Sequence, residues 1–185
     1  LLLATVATAL VGAEARQEGG LLFRLIDSTW WIASLGQFAL TLWVLSRWWQ
    51  GNKAGGLHWP ALTPALIIPV VGNVLAPLAG VPLGHAEWAA AQFGIGLLFW
   101  PVVLVLLLVL SAQQGLWPER LLPASFILVA PPAVVGLALL RLGAPLVVAW
   151  ALWGVALFTL AWVATLLRRI ADQSFGMAHW SLSFP

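Results

Sequence analysis

The chain has 185 residues, of which 62% are hydrophobic and only 8% are charged, whereas soluble globular proteins have about 45–50% apolar and about 25% charged residues. A soluble globule with so few charges would expose large apolar patches and associate through them. The formal net charge is +2 and the basic residues are scattered, which excludes the basic stripe of a nucleic-acid-binding protein. The absence of cysteine excludes disulfide scaffolds, thiolate metal sites and cysteine nucleophiles. Composition therefore indicates a membrane protein in contact with the lipid bilayer.

The predicted elements, in chain order, are membrane-spanning helices. Crossing ~30 Å of hydrocarbon takes about 20 apolar residues, and the complete runs of this kind are 21–46, 61–80, 88–111, 122–140 and 145–167. Partial runs occupy residues 1–13 and 177–185, so we expect an internal fragment of a longer protein. Short connections make successive helices antiparallel neighbours. The pattern predicts one all-α domain over residues 1–185, a polytopic transmembrane helical bundle.

Proline distinguishes two of these runs from the others. The run 61–80 contains Pro64, Pro69 and Pro77, and the run 122–140 contains Pro123 and the pair Pro131-Pro132. A proline inside a helix removes a backbone hydrogen bond and bends the helix, and in lipid the freed carbonyls need partners from protein or water. We therefore expect bent inner helices that face a hydrated path and straight outer helices that face lipid. The alternative is that these prolines are harmless kinks.

Polar residues on the bent segments are few and uncharged. The candidates for pore-lining or helix-kink residues are Thr63, Pro64, Pro69, Asn73, Pro77, Ser125, Pro131, Pro132, Ser181 and Ser183. Proton-coupled pumps generally need an ionisable group inside the membrane, and none lies near the centre of any run. This absence favours a passive pore or facilitator. No catalytic or cofactor-binding motif is found, and the three histidines lie in different loops without metal-ligand spacing, so we expect no enzyme, cofactor or metal site.

Two local pairs of residues have simpler structural interpretations. Arg24 and Asp27 are one turn apart near the start of their helix, which predicts a local ion pair at the membrane interface. Gly94 and Gly96 are expected to allow close helix packing rather than to bind a phosphate.

Three segments match a known pattern in order and spacing. They are WPALTPALIIPVVGN at 59–73, LVAPPAVVG at 128–136 and HWSLSFP at 179–185, and WWIASLGQFALTLWVLSRWWQG at 30–51 adds a fourth. The chain resembles the tellurite-resistance/dicarboxylate transporter family, which includes TehA-like proteins, plant slow-type anion channels, malate permeases and sulfite exporters.

The resemblance implies an architecture and a gate. In that family ten helices form five hairpins around a central pore, odd-numbered helices lie inside, and protomers form trimers. The resemblance makes 61–80 the fifth helix and 122–140 the seventh, in a fragment from the third helix to the start of the ninth. It also implies that Phe184, in Ser183-Phe184, is the gate, with packing between helices as the alternative role.

The expected function is an anion channel or facilitator of the inner (plasma) membrane for small monovalent anions or C4-dicarboxylates such as malate. Two alternatives stay open. One is a gradient-coupled exporter of sulfite, tellurite-related species or organic acids, in which helices outside the chain supply the coupling group. The other is a membrane-embedded enzyme or assembly subunit, which the lack of an acid, base or metal constellation within the spans disfavours.

Overall fold

The computed structural model describes residues 20–51, 63–172 and 176, and in this part all regular secondary structure is helical. The all-α prediction is therefore confirmed for these residues. The α-helices are α1 (Leu21–Trp48), α2 (Ile67–Val71), α3 (Ala76–Leu83), α4 (Ala86–Gln114), α5 (Ala130–Arg141), α6 (Leu146–Ala164) and α7 (Leu167–Ala171). Three 3-10 helices accompany them, at Pro64–Leu66, Gly72–Leu75 and Glu119–Val129.

Four helical spans in the described part are long and apolar enough to cross a membrane, judged by length and composition: Pro64–Leu83, α4, Glu119–Arg141 and α6. The 28-residue helix α1 is not among them. It carries Arg24 and Asp27 near its start and several hydroxyl and amide side chains along its length. That α1 also crosses the bilayer stays a prediction.

The span Pro64–Leu83, called here the first broken helix, changes type three times. It runs from a 3-10 turn into α2, then into the 3-10 helix Gly72–Leu75, and then into α3. Pro64 and Pro77 lie in the first turns of their segments, where the missing N–H costs little because first-turn N–H groups have no intrahelical partner. Pro69 is the third residue of α2, so it too lies in a first turn, where the missing N–H has no partner within the helix.

The span Glu119–Arg141, called here the second broken helix, is a 3-10 helix of 11 residues followed by α5. Runs of 3-10 helix longer than about four residues are uncommon. Pro131 and Pro132 lie in the first turn of α5, and because neither has an N–H, the carbonyls of the preceding turn lose their α-helical donors. The helix therefore changes type where the two prolines begin.

The broken helices are the more buried ones. In the most apolar stretch of each span, the buried share of residues is 56% for the first broken helix and 72% for the second, against 28% for α4 and 11% for α6. All residues from 122 to 129 are buried, so the second broken helix is surrounded by protein on every side there. The largest core cluster joins both broken helices with α4, through residues such as Val71, Val103, Leu122 and Val135.

Tight turns connect the spans. Gly84, between α3 and α4, has φ +94°, and Gly143, between α5 and α6, has φ +89°. Residues with a side chain rarely adopt this left-handed conformation. Such short turns leave each pair of connected helices as neighbours, and α5 and α6 pack along each other.

Candidate functional site

The first break in the helix ladder lies where α2 passes into the 3-10 helix Gly72–Leu75. The last bond of α2 runs from the Gly72 N–H to the Ile68 carbonyl, four residues back, while the Ala76 N–H after the next segment bonds to the Asn73 carbonyl, three residues back. When the spacing of the backbone hydrogen bonds changes from four residues to three, one carbonyl at the junction is left without a backbone donor. In lipid such an unpaired carbonyl is costly. The Pro69 carbonyl lies at this junction.

Side chains of α1 provide the missing donors. Gln37 Nε2 donates to the Pro69 carbonyl at 3.0 Å, and Thr41 Oγ1 lies 2.8 Å from the same oxygen. Asn73 Nδ2 donates to Thr41 Oγ1 at 2.7 Å and to the Val70 carbonyl at 3.0 Å. The break is therefore closed by neutral amide and hydroxyl groups from the neighbouring helix.

The same network continues into α4. Gln92 Nε2 donates to Asn73 Oδ1 at 3.0 Å and to the Ser34 carbonyl at 3.0 Å, and the Ser34 hydroxyl donates to Gln92 Oε1. Trp88 Nε1 then donates to Ser34 Oγ at 2.8 Å. Asn73, Gln92, Ser34 and Thr41 are each at most 2% exposed, and fully satisfied buried networks of this kind rigidify the elements they join. We call these four residues and Gln37 the amide network.

Glycines bring the helices of the amide network into close contact. A Cβ on Gly96 of α4 would lie 2.7 Å from Val74 Cγ1, 2.7 Å from the Val74 nitrogen and 3.0 Å from the Val71 carbonyl oxygen. A Cβ on Gly80 would lie 2.5 Å from the Trp30 ring, whose Nε1 donates to the Ala76 carbonyl at 3.3 Å. Gly94, by contrast, has no atom of the described residues within 4 Å of the same position. Within this part of the chain, the predicted close packing is therefore found at Gly96 and not at Gly94.

Asp27 pairs with a residue far away in sequence. Its Oδ1 lies 2.6 Å from His85 Nε2, and the two side chains are 29% and 27% exposed. The His85 ring stacks on Trp30, with centroids 5.1 Å apart and planes 14° apart. The predicted Arg24–Asp27 pair was wrong, because the turn before α4 brings an imidazole that contacts the carboxylate directly.

The predicted site residues fall into separate places. Asn73 is fully buried in the amide network, and Thr63 precedes the first 3-10 turn and is half-buried. The prolines are buried or half-buried within the two broken helices: Pro64, Pro69, Pro77, Pro131 and Pro132. Ser125 is buried in the second broken helix and lines a cavity away from the amide network. Ser181, Ser183 and Phe184 lie outside the described residues.

Sequence reasoning missed the partners that α1 and α4 supply. Trp30, Ser34, Gln37 and Thr41 follow one another at spacings of four, three and four, which places them on one face of α1. The sequence shows this stripe of side chains on α1, but it does not show their hydrogen-bond partners, which lie 28 to 58 residues away. Within residues 20–51, 63–172 and 176, no group of three His, Cys, Asp or Glu side chains is placed to hold a metal ion.

Known proteins are similar to the chain over nearly all of its length. The family described as SLAC1, voltage-dependent anion channel, matches residues 1–185. Two plant proteins of Arabidopsis thaliana are similar: S-type anion channel SLAH2, 24% identical over 87% of this chain and 31% of that protein, and S-type anion channel SLAH1, 26% identical over 87% of this chain and 42% of that protein. The chain thus spans less than half of the length of either relative. The family match confirms the resemblance found in the sequence: this chain belongs to the SLAC1 family, within a multi-pass membrane protein.

Proposed function

We propose that the full protein is an anion channel or facilitator and that the two broken helices of this chain form part of its pore wall. The observation that carries the proposal is the burial order of the spans, with the proline-broken helices inside and the continuous ones outside. Irregular backbone at membrane depth is tolerated where it is buried in protein or lines water. Both relatives are described as S-type anion channels, which supports the same function here.

The chemistry of the broken helices favours loose selectivity. Residues 64–83 and 122–140 contain no Asp, Glu, Lys or Arg, so this part of the wall offers anions helix dipoles in place of a fixed cation. Selectivity in such a path depends on pore width and on the cost of dehydrating the ion. Small monovalent anions and C4-dicarboxylates are the proposed substrates.

The architecture and the gate are proposed from the family resemblance. Ten helices in five hairpins would enclose the path, with trimers in the inner (plasma) membrane. Phe184 would be the gate, because an apolar ring in a narrow pore blocks ions by filling and dewetting it. Thr63, Ser181 and Ser183 are the proposed hydroxyl lining, whereas Ser125, the other hydroxyl predicted for the pore, lines a separate apolar cavity.

The gate is tested by single-channel recording of the full-length protein in planar bilayers. We expect Phe184→Ala to raise anion conductance, since it empties the constriction. The matched control is Phe158→Ala, which removes the same ring from a position on α6 that is 72% exposed and should leave conductance unchanged. Equal currents in wild type and Phe184→Ala would remove the gate assignment without touching the anion-channel function.

The function itself is tested by flux into liposomes containing the full-length protein, with chloride, nitrate, sulfite and malate compared. A passive channel continues to conduct when a protonophore collapses the proton gradient and the anion gradient remains. Flux that stops under these conditions would instead identify the gradient-coupled exporter. No flux of any of the four anions would contradict both functions.

A further inference from the structure

A cavity of about 180 Å³ lies between α4, the 3-10 part of the second broken helix and the C-terminal end of α6. Its walls are mainly apolar and include Leu107, Leu128 and Val163, with the rings of Trp117 and Trp162. Among the described residues, no Lys, Arg or His side chain lines it. The cavity is therefore unsuited to an anion, which would lose its hydration there without gaining a compensating charge.

Three hydroxyl groups line this cavity, and one of them differs from the other two. Ser111 Oγ donates to the Leu107 carbonyl at 3.1 Å, and Thr165 Oγ1 donates to the Trp162 carbonyl at 2.7 Å. Ser125 is 2% exposed, and its Oγ has no hydrogen-bond partner in the part of the chain that the structure describes. A buried hydroxyl without a partner is destabilising, so a polar group that entered the cavity and bonded to Ser125 would gain free energy.

The size and polarity of the cavity define the ligand. An apolar cavity of about 150 Å³ binds benzene and stays dry otherwise, and a buried water needs two to four polar partners. Here two of the three hydroxyls already donate to backbone carbonyls, which leaves the Ser125 hydroxyl as the group with its full bonding capacity unused.

We propose that this cavity binds a small uncharged amphiphile, an apolar body about the size of benzene that carries one hydroxyl and hydrogen-bonds to Ser125. Alcohols and phenols of this class partition into bilayers, from which the cavity between α4 and α6 is reached. The site is separate from the amide network and does not depend on the proposed anion path.

The test compares 4-fluorophenol with 4-fluorotoluene, which have similar shapes and differ in the hydroxyl. Their binding to the full-length protein in detergent is followed by the fluorine NMR signal. We expect Ser125→Ala to lower the affinity for 4-fluorophenol by about 2- to 10-fold, which corresponds to the loss of one hydrogen bond. The affinity for 4-fluorotoluene should stay unchanged or rise slightly. Partition of each ligand into the detergent micelles is the same for wild type and Ser125→Ala, so it cancels when their affinities are compared.

Two further variants control for position and for folding. Ser46→Ala removes an exposed hydroxyl that donates to the Trp43 carbonyl and should change neither affinity. Leu108→Trp adds volume at a cavity-lining position that is 38% exposed and should weaken both ligands.

Any of three binding results would overturn the proposal. These are an unchanged affinity of Ser125→Ala for 4-fluorophenol, an equal loss of affinity for both ligands in that variant, or an unchanged affinity of Leu108→Trp for both ligands. The melting temperature of ligand-free Ser125→Ala gives an independent check. Because the Ser125 hydroxyl has no partner to lose, this variant should melt no lower than wild type. A clearly lower melting temperature would mean that the hydroxyl is already bonded in the folded protein, which also contradicts the proposal.

Discussion

Adding one methyl group at Gly96 tests the close contact between α4 and the first broken helix. The new Cβ would lie 2.7 Å from Val74 Cγ1, 2.7 Å from the Val74 nitrogen and 3.0 Å from the Val71 carbonyl oxygen. Two of these atoms belong to the backbone, so a change of side-chain rotamer cannot relieve the clash. The helices have to move apart, or the break at residues 71–74 has to distort.

The size of the effect follows from two opposing terms. Overpacking a well-packed contact costs about 1–3 kcal/mol, while Ala is favoured over Gly inside a helix by about 1 kcal/mol. Gly94→Ala, two residues earlier on α4, has the same helix-propensity gain and nothing within 4 Å of its new Cβ. The difference between the two variants therefore isolates packing, and we expect Gly96→Ala to be less stable than Gly94→Ala by about 1–3 kcal/mol.

The assay is thermal unfolding of the full-length protein in detergent, followed by tryptophan fluorescence, with all proteins heated at the same rate. One kcal/mol corresponds to roughly 2–4 °C for a domain of 150–250 residues, so the two variants should differ by several degrees. Gly94→Ala should melt at or above wild type. Equal melting temperatures for the two variants would show that the helices do not approach as closely as the clash at Val74 requires, and the reasoning would fail.

Two further predictions concern the amide network, each with a matched control. Thr41→Val keeps the side-chain shape and removes the hydroxyl that contacts the Pro69 carbonyl, so we expect a loss of about 1–3 kcal/mol in stability. The control Thr159→Val removes a hydroxyl bonded within α6 and should change stability by much less. A larger loss of stability in Thr159→Val than in Thr41→Val would contradict the assignment. Gln92→Ala leaves buried groups of α1 and the first broken helix without partners and should cost at least about 2 kcal/mol, whereas Gln114→Ala at the exposed end of α4 should be near neutral in the same thermal scan.

Composition predicted the helical class of the described residues, because that class depends on local chemistry, and the two proline-rich runs are the spans in which the helix changes type. Apolar runs of about 20 residues have few alternatives to a membrane helix, and a proline inside a helix removes a backbone hydrogen bond. The 3-10 form of residues 119–129 was not predicted, because the two prolines remove α-helical donors only from the turn just before them and do not determine the backbone further upstream. The pairing of Asp27 with His85 was missed for the same reason: a residue 58 positions away competes with the neighbour one turn away.

The membrane environment explains why neutral side chains bond to the free carbonyl of the first broken helix. In water a carbonyl freed by a break in the helix ladder hydrogen-bonds to solvent at little cost, whereas in hydrocarbon it needs a donor from protein. A charged donor near the bilayer centre would itself be costly and would impose a fixed field on the path, whereas amide and hydroxyl groups satisfy the carbonyl at neutral charge. Gln37, Thr41 and Asn73 are donors of this neutral kind, and they reach the Pro69 region from two helices. The polar residues of α1 that make it the least apolar of the long helices are thus the ones that allow the first broken helix to remain bent and uncharged at membrane depth.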